Sequence, residues 1–299
     1  MNRRDFNKLS LGAAVAPLIP GTNAWASAAA APPNNGGHQF SLMLWTLKKE
    51  LTFEQRLQIA ADAGMDSVEV GNEYEKWTDA EWTSNLAKLQ SLGLKVDSAV
   101  PGRNALADKS KRGALHDDLV KAIPGCKRLG CSQFIYTAYT RVPEQTPEQQ
   151  RAAIVDTLKY AADLLEKDNI EIVLEPIDLL EYPKEAVPSV AEAFEIVRAV
   201  GSSKVKVLYD FYHEQRGSGN LIEKLEKNID LVGLVHIADV PGRHKPGTGE
   251  VNYGNVYRKL AELKYSRVIG FEWQYLGDPV AELKAERLQA IATMNGKAV

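Results

Sequence analysis

Four side chains able to bind a metal or carry a proton stand at the ends of four successive apolar runs. They are Glu175 in VLEPID, Asp210 in VLYDFYHEQ, His236 in LVHIADVPG and Glu272 in GFEWQ. Three carboxylates and one imidazole form a donor set for a single divalent ion such as Mn²⁺, Mg²⁺ or Zn²⁺. One acid at the end of a strand is commonly a helix cap or a surface charge. Four in succession, three closing their runs and His236 one residue from the end of its own, call for a shared centre.

Such a centre requires elements that bring the four run ends together. From Phe40 onward, short runs rich in β-branched and aromatic residues alternate with longer amphipathic stretches. The short runs cover 40–46, 67–70, 95–100, 133–137, 171–175, 206–210, 231–237 and 267–272. Their lengths and compositions are those of buried strands. Between them, Phe53, Leu57, Ala60 and Ala61 share one helical face within Thr52 to Ala63. Thr146-Pro147-Glu148 supplies a cap and a proline at the first helical position, and Ile154, Leu158, Ala161 and Leu165 continue the apolar stripe. Gly64, Gly93, Gly130 and Gly201 stop helices just before the next strand. Eight strand–helix units predict an α/β fold, a single (β/α)8 TIM barrel over residues 39–296. An open doubly wound sheet is the competing layout, but no G-x-G-x-x-G follows the first strand. In a barrel, the C-terminal strand ends form one mouth, where the four candidates converge.

The stretch from Ile172 to Trp273 resembles the hydroxypyruvate isomerase family, within the wider xylose isomerase-like barrels. LEPID, YDFYHEQ, HIADVPGRHKPGTGEVNY and GFEW follow one another in that family's order, and the segment His236 to Tyr253 is the most specific. The resemblance implies that Glu175, Asp210, His236 and Glu272 bind one divalent metal ion, with Glu175 and Glu272 also forming the acid/base pair. It implies that His213 and Arg243 contact substrate oxygens, Arg243 as a bidentate partner for a carboxylate. A chelated hydroxy-carbonyl substrate would lose a carbon-bound proton to one glutamate, giving an enediolate. Return of the proton at the neighbouring carbon is isomerisation; return on the opposite face of the same carbon is epimerisation. The expected activity is aldose–ketose isomerisation, hydroxypyruvate to tartronate semialdehyde being the reference reaction. A ketose or 3-keto-glycoside epimerase is the alternative. His236 stands where hydroxypyruvate-specific members often carry glutamine, and Trp273-Gln274 replaces their Tyr-Lys.

Other residues carry less. Trp45, Tyr136 and Trp273 lie near strand ends and would wall a pocket or fill the core. Glu69 alternates with Val68 and Val70 and either points into the barrel or meets substrate. Gly247-Thr248-Gly249 would make a plain turn in preference to a phosphate cradle. His244 reads as exposed, and His38 and His116 have no assigned role. Cys126 and Cys131 read as buried inert thiols, a disulfide being the alternative.

The start of the chain reads as an address. Arg3-Arg4, Phe6 and Lys8, an apolar segment Leu9–Ile19 and small residues around Ala26 to Ala28 resemble a twin-arginine export signal over residues 1–28. A flexible linker over 29–38 follows, with Pro32-Pro33-Asn34-Asn35-Gly36-Gly37 at its centre. The twin-arginine translocase is thus an expected partner, and the periplasm the expected location. Arg3, Arg4 and Lys8 against Asp5 give the signal a net +2, so its removal takes the formal charge from -3 to -5. An acidic chain with 5 histidines argues against nucleic acid as a partner and against a multi-zinc phosphodiesterase. No run reaches the ~18 apolar residues of a membrane span. The expected partner is a small hydroxy-carbonyl or sugar substrate. A non-catalytic sugar-binding barrel would not need two glutamates, and a homo-oligomer stays open.

Overall fold

Each of the eight short runs becomes a strand because alternate residues can face two apolar layers at once. The computed structural model describes residues 36–297; the expected export signal over 1–28 and the expected linker residues 29–35 lie outside the described residues. The strands are β1 (Gln39–Met43), β2 (Ser67–Val70), β3 (Lys95–Ala99), β4 (Gln133–Thr137), β5 (Glu171–Glu175), β6 (Val205–Asp210), β7 (Val232–Ile237) and β8 (Val268–Phe271). They pair in parallel, in sequence order, and β1 closes against β8. The barrel is therefore complete, and the open-sheet alternative is set aside.

Helices α1 (Phe53–Asp62), α2 (Asp79–Leu92), α3 (Arg112–Leu129), α4 (Pro147–Glu166), α5 (Val190–Val200), α6 (Phe211–Gly217), α7 (Leu221–Asn228), α8 (Tyr253–Glu262) and α9 (Pro279–Met294) occupy the connections and follow β8. Thr52, Thr78 and Thr146 each close a capping box, with Gln55, Glu81 and Gln149 respectively. Gly93, Gly130 and Gly201 end their helices at φ of 68–71°, where a side chain would be strained.

The strand period sorts the core into two parts. Met43, Ile135, Val173, Leu208 and Leu234 pack together as one cluster, while their chain neighbours join the large cluster beneath the helices. The alternation that turns Val173, Leu208 and Leu234 inward also turns Glu175, Asp210 and His236 inward, two residues further on. Side-chain parity thus delivers the acids and the imidazole to the barrel mouth.

Several boundaries shift from the sequence expectation. The first strand stops at Met43 and Leu44–Thr46 forms a 3-10 turn, which swings Trp45 over the mouth. Strand β8 stops at Phe271, although the Glu272 N–H still donates to Ile237 O at 3.2 Å. Cys126 and Cys131 are both free and buried, with the Cys126 thiol donating to the Cys131 carbonyl at 3.1 Å.

Candidate active site

Glu175, Asp210, His236 and Glu272 come from four neighbouring strands, and one donor atom of each lies within 4.8 Å of the other three. All four side chains are buried. The cations around the acids come from the chain itself. His236 Nδ1 is 2.7 Å from Glu272 Oε2 and 4.0 Å from Glu175 Oε1. Arg243 Nη2 donates to Asp210 Oδ2 at 3.1 Å and to Glu272 Oε2 at 2.6 Å. The Trp45 indole N–H donates to the other Glu272 oxygen at 2.7 Å.

These contacts separate the two glutamates. Burial and the neighbouring Glu272 push the Glu175 carboxyl up to about 7, against the pull of His236. Burial acts the same way on Glu272, but Arg243 and His236 outweigh it and hold that carboxyl below the ordinary range. Burial disfavours a charged His236, yet Glu69 and Glu272 together raise its pKa well above the usual value. For His213, burial is likewise outweighed, by Asp210 and Asp178, and the shift is upward.

Behind this cluster stands a layer of residues that fixes its orientation. Glu69 Oε2 meets His236 Nε2 at 2.8 Å from inside the barrel, and Ser41 donates to the other Glu69 oxygen. Asp178 Oδ2 meets His213 Nδ1 at 2.8 Å, which leaves His213 Nε2 3.6 Å from Asp210 Oδ2. Asp239 shapes the loop that carries Arg243. Its carboxylate accepts the N–H groups of Gly247, Gly249 and Val251 at 2.9–3.0 Å. A Cβ on Gly249 would lie 2.0 Å from Val240 O, so this turn requires glycine. Two of the N–H groups that a phosphate cradle would use are thus committed to Asp239.

A cavity of about 680 Å³ opens over the cluster. Glu175, Glu272, His213 and Arg243 line it, together with Trp45, Tyr136, Tyr139, Tyr182 and Glu185. Arg243 is 9% exposed and packs under Trp45 and Tyr212, so it is no solvated surface charge. Trp45 and Tyr136 do wall the pocket. Trp273 does not: fully buried, it packs against Phe271 at 4.8 Å. His244 is half-buried and lies against the Gln274 carbonyl at 2.8 Å, outside the cavity lining. Among the described residues, no helix is long and apolar enough to cross a membrane.

A closed eight-stranded barrel with an acid–histidine cluster at its C-terminal mouth belongs to the xylose isomerase-like TIM barrel family, whose model matches residues 57–293. Within it, the chain is 28% identical over 242 residues to the hydroxypyruvate isomerase of Escherichia coli, covering 79% of this chain and 93% of that one. It is 29% identical over 262 residues to the 2-oxo-tetronate isomerase of Haemophilus influenzae, covering 82% and 96%. Among solved structures, a family 2 AP endonuclease from Brucella melitensis superposes with a TM-score of 0.75 at 24% identity, covering 82% of this chain and 96% of that one. At that identity the superposition speaks for the fold alone.

Proposed function

We propose that the protein is a metal-dependent aldose–ketose isomerase of the hydroxypyruvate isomerase type, with hydroxypyruvate to tartronate semialdehyde as its reference reaction. The observation that carries this reading is the convergence of Glu175, Asp210, His236 and Glu272 donor atoms within 4.8 Å beside an open cavity. Similarity to two isomerases over more than nine tenths of their lengths supports it.

Three carboxylates and an imidazole fit a divalent ion such as Mn²⁺, Mg²⁺ or Zn²⁺, and these four residues would hold it. When bound, such an ion polarises the substrate carbonyl and acidifies the adjacent C–H. The chain's own groups do the rest. Glu175, less tightly held than Glu272, takes the proton from the hydroxymethyl carbon. Glu272, fixed by Trp45, His236 and Arg243, faces the same substrate and completes the acid/base pair. The carbon-bound proton returns at the former carbonyl carbon. The hydroxyl proton passes to the former carbonyl oxygen, so atoms and electrons balance within the substrate. His213, oriented by Asp178, and Arg243, whose Nη1 meets Glu181 only at 3.9 Å, hold substrate oxygens.

A second reading, epimerisation of a ketose or 3-keto-glycoside, uses the same residues. Its specific support is the cavity: about 680 Å³ is several times the space a three-carbon acid fills. Protein loaded with Mn²⁺ or Mg²⁺ in D₂O, with an EDTA-treated control, tests both readings. Metal-dependent exchange at the hydroxymethyl carbon of hydroxypyruvate, with tartronate semialdehyde appearing, is the isomerase result. Exchange only beside a sugar ketone is the epimerase result. A Glu272→Gln variant that turns over at near-normal rate would sink both.

The export reading is also a proposal: a signal over 1–28, release into the periplasm, and the twin-arginine translocase as transient partner. Arg3-Arg4 and the apolar segment after them support it. Replacing both arginines by lysine should strand the protein in the cytoplasm on fractionation. Unchanged export would overturn it.

A further inference from the structure

The cavity does not end at the acid cluster. It runs on to a wall made by the loops after β4 and β5, where Tyr139, Tyr182 and Glu185 line it. This wall is built firmly. The Tyr139 and Tyr182 rings stack at 5.4 Å with 16° between their planes, and both rings are only partly buried. The Tyr182 hydroxyl meets Thr140 Oγ1 at 2.7 Å, and the Ala186 N–H donates to Tyr139 O at 2.8 Å. An antiparallel bridge joins Thr140 to Glu185. Tyr139 is held at φ 64°, a left-handed conformation that costs a tyrosine on the order of 1 kcal/mol or more and persists only where neighbours dictate it.

Glu185 is the chemically unfinished part of the wall. One carboxyl oxygen accepts the Ala186 and Val187 N–H groups at 3.0 and 3.2 Å. The other, Oε2, is buried with no hydrogen-bond partner, in a residue with no exposed surface. A buried oxygen left unpaired is costly, and a ligand hydroxyl is the partner that would satisfy it. Stacked aromatic rings beside a carboxyl oxygen suit the apolar face and hydroxyl rim of a sugar. They do not suit an acid. At the reacting centre Arg243 Nη2 is committed to Asp210 and Glu272, which leaves only Nη1 for a substrate oxygen, and Arg103 stands exposed on the cavity lining.

We propose that Tyr139, Tyr182 and Glu185 form a second compartment that binds a further polyhydroxylated unit, making the substrates neutral keto-sugars or keto-glycosides larger than a three-carbon acid. This rests on the reading of the acid cluster given under Proposed function, and it selects among the substrates that reading allows.

Calorimetric titration of the metal-loaded protein tests it, with hydroxypyruvate, D-fructose and the keto-disaccharide lactulose as probes. The compartment predicts that lactulose binds at least tenfold more tightly than hydroxypyruvate. It also predicts that the lactulose-to-hydroxypyruvate affinity ratio falls at least tenfold in Tyr182→Ala. The near-isosteric Glu185→Gln, which guards against a folding defect, should lower the ratio in the same direction. Tighter binding of hydroxypyruvate, with its carboxylate paired to Arg103, would overturn the proposal and leave the isomerase reading standing. So would an affinity ratio unchanged in both variants. Ratios that behave as predicted without proton exchange on any probe would support the compartment while removing the isomerase reading.

Discussion

Glu69 and His236 meet inside the barrel at 2.8 Å, across 167 residues of chain. Both neighbours of the imidazole, Glu69 at Nε2 and Glu272 at Nδ1, are acceptors, which is why the ring is held in its protonated form. The consequence is directional. With Nε2 tied to Glu69, Nδ1 is the nitrogen presented to Glu175 and Glu272, and it is the one a metal ion would use. Removing Glu69 should free the ring to rotate. Glu69→Ala is expected to weaken Mn²⁺ binding by about 10- to 100-fold, the usual effect of losing a partner behind a ligand. Calorimetry on protein whose circular dichroism is unchanged checks this; wild-type affinity would show that Glu69 does not orient His236.

Gly270 leaves the room that this pair occupies. It stands beside His236 in the β7–β8 register. A Cβ there would lie 2.2 Å from Glu69 Oε1 and 2.8 Å from His236 Cδ2. Neither side chain can yield freely, because Ser41 holds that same Glu69 oxygen and Glu272 holds Nδ1 on the other side of the His236 ring. Gly270→Ala should therefore cost about 1–3 kcal/mol, as overpacked cores do, and should weaken metal binding as well. Urea denaturation reads the first effect. An unchanged midpoint would mean the barrel interior has slack that the distances do not show.

The contrast between these residues explains what the sequence could reveal. Glu175, Asp210, His236 and Glu272 were visible because each closes an apolar run or stands one residue from its end, and a barrel sends run ends to one mouth. Glu69 sits one residue before the end of β2, so its parity was legible but its partner, set by barrel closure, was not. Asp178 and Asp239 act from loops and take their roles from three-dimensional contacts with His213 and with backbone N–H groups. Glu185 lies in a stretch with no strand or helix period to read. Trp273 was open to correct placement from the outset: if Glu272 faces inward, the next residue faces outward, where it packs on Phe271.

Outside the acid cluster, Glu286 gives a stability prediction with a definite sign. It is fully buried on α9, with Tyr257 donating to Oε1 at 2.7 Å and Lys245 Nζ 3.7 Å from Oε2. Burial raises its carboxyl from 4.5 to about 7, against the weaker pull of Tyr257 and Lys245. Between those values the native state keeps a proton that the unfolded state has lost, so stability falls as pH rises through the window. The loss is on the order of 3 kcal/mol across it. Glu286→Gln should remove this slope: melting temperature measured from pH 4.5 to 7 should decline less steeply in the variant. Parallel curves would place the proton elsewhere.

Protons and metal should compete at the mouth for the same reason. Glu175 is pushed up to about 7 by burial and by Glu272, so at neutral pH about half of the protein carries a proton on a proposed ligand. A cation must displace that proton, and one pH unit lower about nine molecules in ten have it. The Glu175 proton alone should therefore lower the apparent affinity for Mn²⁺ by about tenfold per pH unit below 7, and the proton held on His236 steepens that fall and carries it above 7. Titrations in buffers of differing ionisation enthalpy should register net proton release near pH 6.5, part of it also from His236 Nδ1. In Glu175→Gln the Glu175 contribution disappears: affinity is lower throughout, and release drops toward the His236 share alone. A variant with undiminished affinity and undiminished release would remove Glu175 from the metal centre, and with it the proton-transfer role assigned to that residue.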